Sequence, residues 1–322
     1  MKLADLPKPF VIAEIGSNWH NLEECLHAIW AAKNCGADAI KFQLYTHEEL
    51  YGFPGEVSHE LPPEWLPKLK AHAFMCDIEF MCTAFSPKGI ATVDPYVEIH
   101  KLASSENNHV LMHKALKETD KPIIISLGAT TIIEKKMIYE TFLGFDTAYL
   151  YCVANYPAQE IHLESIREIQ KQTGAVTGFS DHSTDYSTIP VSAVTQYGAA
   201  ILEKHFNPLN HTDTPDAPHS IGQEQFKTMT AKIHGKFYGH GEIRSEELAM
   251  EKNHKRRLVM KKDSKKGEEL HFDEHYGIYR FKGDSLVDVK PYFYADFDGA
   301  RLKKPKKQGD TLGPDDIEGT TL

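Results

Sequence analysis

The chain has 322 residues, and its 46 acidic and 36 basic side chains give a formal net charge of −10. This acidic balance is not that of a nucleic-acid-binding protein, and no apolar run approaches the roughly 18 residues of a membrane span. The length suits one large α/β domain of about 250 residues followed by a smaller one. We therefore expect neither a nucleic-acid partner nor a membrane partner.

The cysteines form an odd set of five without any Cys-x-x-Cys spacing. Most lie in apolar helix or strand patterns, which is typical of reduced thiols packed in a core. Residues 1–9 contain no apolar signal core. These features predict a cytoplasmic protein without disulfides or a cysteine zinc site.

An apolar run followed by an amphipathic helix recurs along the first part of the chain. The strands are predicted at 10–16, 39–44, 79–84, 98–103, 122–126, 148–154, 175–180 and 200–205. The helices are predicted at 22–34, 63–77, 110–118, 133–142, 163–172, 188–194 and 223–237. Eight such units in about 230 residues predict an α/β fold, a (β/α)8 TIM barrel, over residues 1–241.

Residues 45–62, rich in His, Glu, Gly and Pro, are too numerous for a simple strand-to-helix connection. Two interpretations of this segment stay open. It is a lid over a binding site, or it is an inert insertion.

The barrel pattern ends near residue 241, and the sequence predicts a linker at 242–256 and a second domain at 257–322. Residues 251–322 carry 16 basic and 14 acidic side chains, whereas residues 1–250 carry 20 and 32. Lys-Gly-Glu-Glu-Leu at 266–270 is echoed by Gln-Gly-Asp-Thr-Leu at 308–312, which predicts a small pseudo-symmetric β domain. Its basic runs either bind an anionic polymer or form a solvated lysine-rich face, the more ordinary outcome. We expect a domain with so small a core to pack against the barrel or against a second chain.

The carboxyl ends of the strands build the active site of a TIM barrel, and here two adjacent strands end at His182 and His205. Two imidazoles at neighbouring strand ends can share one metal ion, and nearby carboxylates such as Asp181 commonly orient metal-bound imidazoles. The chain has 18 histidines, however, and most histidines bind no metal. A purely structural role for each of the two stays open.

Two lysines, Lys41 and Lys101, lie within apolar strand ends. A lysine in such a position is more often an anion ligand or a Schiff-base former than an accident. The other polar residues predicted at strand ends are Glu14, Gln43, Thr83, Ser104, Ser126, Asn155, Tyr156, Ser180, Asp181 and Glu203. For each of these, simple exposure of a strand end to water is the alternative.

Several of these segments, taken in order, resemble the sialic acid synthase (N-acetylneuraminate synthase) family. They are Ile-Ala-Glu-Ile-Gly at 12–16, Gly-Ala-Asp-Ala-Ile-Lys-Phe-Gln at 36–43, Lys-Leu-Ala-Ser-Ser-Glu-Asn-Asn at 101–108, Asn-Tyr-Pro at 155–157, Gly-Phe-Ser-Asp-His at 178–182 and Glu-Lys-His-Phe at 203–206. Arg-Arg-Leu at 256–258 and Lys-Lys-Gly-Glu at 265–268 resemble the family's antifreeze-like, or SAF, domain of β-clip fold. The ordered series is far more specific than any single motif.

The resemblance implies an enzyme that condenses phosphoenolpyruvate with an N-acetylated hexosamine to give a nonulosonic acid and phosphate. It implies His182 and His205 as ligands of a divalent cation, Mn²⁺ or Mg²⁺. The implied phosphoenolpyruvate-binding residues are Lys41, Thr83, Lys101, Ser104, Ser126, Asn155 and Ser180. The implied catalytic and sugar-side residues are Glu14, Tyr156, Asp216, Arg280 and the candidate base Glu106. Arg280 would reach the partner barrel in a domain-swapped homodimer.

Three segments depart from the family pattern, and all lie on its sugar side. Asn-His-x-Gly is here Asn-Trp-His-Asn at 18–21, Gly-Pro-Asp-His is Thr-Pro-Asp-Ala-Pro-His at 214–219, and Arg-Pro-Gly-Thr-Gly is Arg-Phe-Lys-Gly at 280–283. The sequence therefore does not separate N-acetylmannosamine from a diacetamido sugar as the acceptor.

Two other functions remain as alternatives. One is a metal-dependent pyruvate aldolase on the same barrel, and the other is a non-catalytic carbohydrate-binding or ice-binding-like protein. The retained lysines and hydroxyls argue against the first, and the retained histidine pair with Glu14 and Glu106 argues against the second.

Overall fold

The structure is a computed structural model that describes residues 2–234, 256–280 and 291–318, apart from the side chains of Arg280 and residues 291–293. The chain divides into two compact units, Met1–Phe237 and Tyr238–Leu322. The predicted linker at 242–256 lies outside the described residues except for Arg256, which begins a strand. Among the described residues, no helix combines the length and the apolar character needed to cross a membrane.

Eight parallel strands form one sheet in the order β3-β2-β1-β8-β7-β6-β5-β4. The two strands at the ends of this order, β3 and β4, contact each other, so the sheet is barrel-like and the predicted (β/α)8 fold class is confirmed. The strands are β1 Phe10–Glu14, β2 Ala39–Leu44, β3 Glu79–Ala84, β4 His100–Leu102, β5 Ile123–Ser126, β6 Thr147–Cys152, β7 Val176–Asp181 and β8 Ile201–His205.

The helices follow the strands in the order that the sequence predicts. They are α1 Leu22–Asn34, α2 His47–Tyr51, α3 Leu66–Met75, α4 Pro87–Val93, α5 Val110–Glu118, α6 Ile132–Thr141, α7 Glu164–Thr173, α8 Ile189–Thr195 and α9 Gln223–Ile233. The helix predicted at 63–77 is a 3₁₀ turn, Pro63–Trp65, followed by α3. The last residues of the helix predicted at 223–237 lie outside the described part of the chain.

Two short helices were not predicted, although each carries a start signal. Thr46 and Glu49 form a reciprocal capping box at the start of α2, so the segment predicted as a long loop begins with a helical turn. The Ser86 side chain accepts a hydrogen bond from the Gly89 amide at the start of α4, and Pro87 occupies the first turn. Both helices are shorter than eight residues, and so they show little of the periodicity that identifies longer helices.

The core has two layers that follow the two faces of the strands. Val11 and Ala13 of β1 pack outward among the buried helix residues, whereas Phe10 and Ile12 join the cluster inside the barrel. Side chains alternate between the faces of a strand, so residue 14 must also point into the barrel. The apolar interior cluster fills the lower part of the barrel and leaves the carboxyl ends of the strands to polar residues.

The C-terminal unit pairs β9, Arg256–Met260, with β10, Tyr276–Arg280, in antiparallel register. The two echoed sequence motifs form the same turn: Gly267 and Gly309 have φ of 82° and 91°. In each turn the acidic residue after the glycine accepts a backbone hydrogen bond from three residues earlier, at 2.6 Å for Glu268 and 2.8 Å for Asp310. This shared geometry supports the predicted internal symmetry.

Candidate active site

A cavity of about 390 Å³ opens at the carboxyl ends of the barrel strands. Most of the predicted site residues line it: Glu14, Lys41, Thr83, Lys101, Ser104, Ser126, Tyr156, Ser180, His182, His205 and Asp216. Glu106 and Asn155 do not line this cavity, and the side chain of Arg280 lies outside the described part of the structure.

Strand parity explains why these residue types meet. The interior cluster contains Ile12, Ala39, Met81, Ile124 and Ile201, and the residue two positions later in each strand points to the same side of the sheet. Those residues are Glu14, Lys41, Thr83, Ser126 and Glu203. One alternating pattern therefore builds an apolar barrel floor and a polar cavity above it.

The cavity floor holds a buried charge cluster of two carboxylates and two ammonium groups. Lys41 Nζ forms a close ion pair with Glu14 and lies 3.7 Å from Glu203 Oε2. Lys101 Nζ lies 3.7 Å from Glu203 Oε1 and donates to the Leu102 carbonyl at 3.2 Å. Glu203 thus lies between the two lysines, and in the described part of the chain Lys41, unlike Lys101, has a second carboxylate in an ion pair with it.

This arrangement shifts the pKa values of the two lysines in opposite directions. Burial disfavours the charged form of Lys41, but Glu14 and Glu203 outweigh it and raise the pKa of Lys41. Burial lowers the pKa of Lys101, the Lys41 charge adds to this effect, and Glu203 offsets only part of it. The Lys101 ammonium is therefore the cation that gains most from a bound anion.

Three serine hydroxyls line the same cavity as Lys101. The Ser126 hydroxyl oxygen is buried and has no hydrogen-bond partner among the described residues. Ser104 Oγ accepts from the Gly128 amide at 3.0 Å, and Ser180 Oγ donates to Glu203 at 3.0 Å. The cavity thus contains the unpaired Ser126 hydroxyl and the Lys101 ammonium group, whose charge Glu203 balances only in part. Such groups fit an anionic ligand, for example a phosphate or carboxylate group.

Two imidazoles, His182 and His205, line the cavity, and His219, which does not line it, has its ring centroid 4.6 Å from that of His205. Ligand atoms of His205, Asp216 and His219 all lie within 4.8 Å of one another. The ring centroids of His182 and His205 are 5.4 Å apart, and His182 stacks on Tyr156 at 4.2 Å. The predicted pair His182 and His205 is thus brought together, with His219 as a further imidazole.

The hydrogen bonds of these rings fit a metal ligand set. His182 Nδ1 lies 2.9 Å from the Val153 carbonyl, which only accepts, so the Nδ1 nitrogen carries the proton and Nε2 keeps its lone pair. Burial lowers the pKa of His182 to about 4 and that of His205 well below its usual range, so both rings are neutral at pH 7. His205 Nδ1 is buried without a hydrogen-bond partner in the described structure. Neutral imidazoles with free lone pairs are the form that binds metal ions.

Asp216 reaches this group from the loop after β8. Its Oδ2 accepts a 2.7 Å hydrogen bond from the Ser17 amide, and its Oδ1 lies 3.2 Å from His219 Nε2. Gly16 has a φ of 54°, and a Cβ atom at this position would collide with the Asp216 carboxylate. The glycine therefore permits the close approach of the β1 loop to the loop that carries Asp216 and His219.

Glu203 is among the polar residues predicted at strand ends, and it lines the cavity, but the sequence predicts no role for it. Its parity with Ile201 and His205 on β8 is the signal that places it there. His219 is noted only within a departure from the family pattern. The 3₁₀ turn Ala217–His219 brings it back onto Asp216, and no periodic signal in the sequence indicates that turn.

The fold and the cavity together define a TIM-barrel protein whose strand ends combine a lysine- and hydroxyl-containing side with an imidazole-containing side. The family model described as NeuB family matches residues 56–244. The chain therefore belongs to the NeuB family.

Named relatives align over nearly the whole chain. The chain is 28% identical to the pseudaminic acid synthase of Campylobacter jejuni, and the alignment covers 97% of this chain and 97% of that protein. It is 28% identical to the N,N'-diacetyllegionaminic acid synthase of Legionella pneumophila, with 96% and 94% covered. The crystal structure of N-acetylneuraminic acid synthetase from Leptospira borgpetersenii in complex with citrate superimposes with a TM-score of 0.67 at 28% identity, covering 76% and 90%.

Proposed function

We propose that this protein condenses phosphoenolpyruvate with an N-acetylated hexosamine, N-acetylmannosamine or a diacetamido hexose, to give a nonulosonic acid and inorganic phosphate. The observation that carries the proposal is the pairing, in one cavity, of an under-compensated Lys101 with an unpaired Ser126 hydroxyl on one side and neutral imidazoles on the other. The relatives named as pseudaminic and legionaminic acid synthases support this reaction class.

Phosphoenolpyruvate is assigned to the Lys101 side of the cavity. It carries up to three negative charges, and a lysine with several hydroxyl donors supplies the charge-assisted hydrogen bonds that these charges need. Lys101, Ser104, Ser126 and Ser180 line this side, and Thr83 is tied to it through a 3.1 Å hydrogen bond from Lys41. Asn155 is exposed outside this cavity, so it joins the site only if its loop moves.

A divalent cation is assigned to the opposite side, where His182, His205, Asp216 and His219 are the residues that would hold it. Such an ion, when bound, polarises the aldehyde oxygen of the open-chain sugar as a Lewis acid. Tyr156 covers the His182 ring and closes this side of the cavity. The two substrates then meet between the lysine side and the imidazole side.

The proposed condensation consumes one phosphoenolpyruvate, one aldehyde sugar and one water molecule and releases one phosphate. The C3 carbon of phosphoenolpyruvate forms a bond to the aldehyde carbon, whose oxygen takes up a proton and becomes a hydroxyl. Water adds to the cationic C2 carbon and loses one proton. The C2–O bond to phosphate then breaks while the C2 hydroxyl proton passes to the departing phosphate, which leaves a keto group. Glu14 lines the cavity, and burial raises the pKa of its carboxyl, which suits it to accept the proton of the attacking water better than Glu106 outside the cavity.

The test is phosphate release from phosphoenolpyruvate with Mn²⁺, screened against N-acetylmannosamine and 2,4-diacetamido hexoses. We expect release with at least one of these sugars and a nine-carbon keto acid in equal amount. Absence of release with all of them would refute the synthase assignment. Formation of a product from pyruvate without phosphate would move the protein to the aldolase class.

We also propose that residues 257–322 form a SAF-type domain that completes the site of a partner barrel in a domain-swapped homodimer. The internal symmetry of the two turns and the small apolar core of this unit support the assignment. Sedimentation of the full chain at micromolar concentration tests it, and a monomer would contradict it.

A further inference from the structure

A second group of metal-ligand side chains lies outside the cavity just described. Ligand atoms of His20, Glu24 and His211 all lie within 4.8 Å of one another. His20 belongs to the loop after β1, Glu24 lies in the first turn of α1, and His211 belongs to the loop after β8. We propose that these three side chains form a binding site for a zinc-type divalent cation that joins the two loops.

The spacing of the donor atoms matches a shared ion. Glu24 Oε2 lies 3.3 Å from His20 Nδ1 and 3.1 Å from His211 Nε2. Zinc bonds to imidazole nitrogen and carboxylate oxygen of about 2.0–2.2 Å, arranged tetrahedrally, place neighbouring ligand atoms about 3.3–3.5 Å apart. The two observed separations therefore differ from this geometry by no more than a few tenths of an ångström.

The rings are also oriented as metal ligands are. A metal-bound imidazole commonly donates its other N–H group to a carboxylate, and His20 Nε2 lies 3.3 Å from Asp213 Oδ2. This leaves His20 Nδ1 as the lone pair that faces Glu24. The rings of His20 and His211 meet edge to face at 4.4 Å, close enough for two imidazoles to bind one ion.

Backbone hydrogen bonds hold two of the three ligands in place before any ion binds. The His211 amide donates to Asn207 Oδ1 at 2.9 Å, and Asn207 Nδ2 donates to the His211 carbonyl at 2.8 Å. Glu24 Oε2 accepts from the His20 amide at 2.8 Å. Two imidazoles and one carboxylate suit Zn²⁺ and similar transition ions better than Mg²⁺, which prefers oxygen ligands.

Such an ion would fasten the loops that position Asp216. The loop after β1 already donates the Ser17 amide to Asp216, and Asn18 Oδ1 accepts from the Thr214 hydroxyl at 2.7 Å. A cation on His20 and His211 would tie the outer parts of the same two loops. This site does not depend on the proposed synthase reaction.

Zinc binding by the full-length, chelator-stripped chain tests the proposal, with Zn²⁺ alone as the probe in isothermal titration calorimetry. We expect His20→Ala and His211→Ala each to lose one bound Zn²⁺ per chain, while the control His162→Ala, an exposed histidine elsewhere, loses none. Asp213→Asn should weaken this site by about 10- to 100-fold, as expected for a residue that orients a ligand. Co²⁺ in place of Zn²⁺ should give the intense visible bands of a tetrahedral ion, and these bands should persist in His205→Ala.

Equal stoichiometry and affinity in His20→Ala, His211→Ala and His162→Ala would overturn the proposal and leave the cluster as an ion-pair network. Circular dichroism of each variant checks that the chain is folded. Loss of binding in His205→Ala alone would likewise assign all zinc binding to the barrel cavity and refute the second site.

Discussion

The two buried lysines of the cavity should respond in opposite ways to removal of their charge. Among the described residues, Lys41 is held by Glu14 and Glu203, whereas Lys101 has Glu203 at 3.7 Å as its one carboxylate partner. We therefore predict that Lys101→Met mainly weakens phosphoenolpyruvate binding and that Lys41→Met mainly destabilises the fold.

The magnitudes follow from the contacts. Loss of a hydrogen bond to a charged group costs about 1.5–3 kcal/mol, so Lys101→Met should raise the phosphoenolpyruvate Kd by about 10- to 150-fold. Both lysines lie 3.7 Å from Glu203, so that contact does not distinguish them. Lys41 also forms the close ion pair with Glu14, and removal of one member of a buried ion pair costs about 3–5 kcal/mol. Lys41→Met should lower the free energy of unfolding by that amount.

Calorimetric titration with phosphoenolpyruvate and urea denaturation measure the two quantities on the same samples. Lys88→Met, which removes an exposed lysine, is the matched control and should change neither. Equal losses of phosphoenolpyruvate affinity in Lys41→Met and Lys101→Met would refute the assignment of the free charge to Lys101. A larger loss of unfolding free energy in Lys101→Met would refute it as well.

Lys101 also has the environment of a Schiff-base lysine, since burial and a second cation lower its pKa. The synthase assignment predicts that borohydride traps no adduct between pyruvate and Lys101. A trapped adduct at this residue would move the protein to the aldolase class. The peptide that contains residue 101 shows the outcome directly by mass spectrometry.

Three further predictions concern other parts of the chain. His219→Ala should weaken Mn²⁺ binding at least about tenfold in a calorimetric titration, and an unchanged affinity would leave His182 and His205 as the ligand pair. If Arg280 acts across a dimer, mixed and refolded Lys101→Met and Arg280→Ala chains should exceed the activity of either variant at a phosphoenolpyruvate concentration well below the Kd of Lys101→Met, whereas a site within one chain would give no gain. Burial lowers the pKa of His100. The stabilising contribution of the neutral His100 ring to the free energy of unfolding is therefore retained above about pH 6.5, and it is lost as the pH falls toward the folded-state pKa. His100→Gln should flatten the pH dependence of urea denaturation below about pH 6.5, and equal slopes would contradict this.

The barrel and its strand-end residues are predictable because both depend on local alternation. Glu14 and Lys41 each lie two positions beyond an interior apolar residue, and the same count applies along the sheet. A side chain's direction is therefore readable wherever the residue belongs to a regular strand.

Alternation ends with the strand, and the predictions that fail to reach the cavity lie beyond that point. Glu106 closes the 3₁₀ turn Ser104–Glu106 after β4, and Asn155 lies three residues after the end of β6. A turn changes the direction of the side chains that follow it, and counting residues along the sequence does not predict that change. His219 joins the site for the same reason, since a turn and contacts with the distant β1 loop determine its position.

Both sides of the cavity combine strand and loop residues, but the imidazole side takes more of its residues from loops, and this bears on the proposed substrate choice. Strands supply Lys101, Ser126 and Ser180 on one side and His205 on the other, whereas Ser104, Asp216 and His219 come from loops and turns. Loops tolerate sequence change far better than the strands that they connect. The departures at 18–21 and 214–219 fall in such loops, so the proposed sugar side can change while the proposed phosphoenolpyruvate side stays the same. We expect exchange of residues 214–219 for the family's Gly-Pro-Asp-His pattern to change the preferred sugar in the phosphate-release screen while the Kd for phosphoenolpyruvate stays within about threefold. A loss of phosphoenolpyruvate affinity as large as that of Lys101→Met would show that the two sides are not independent.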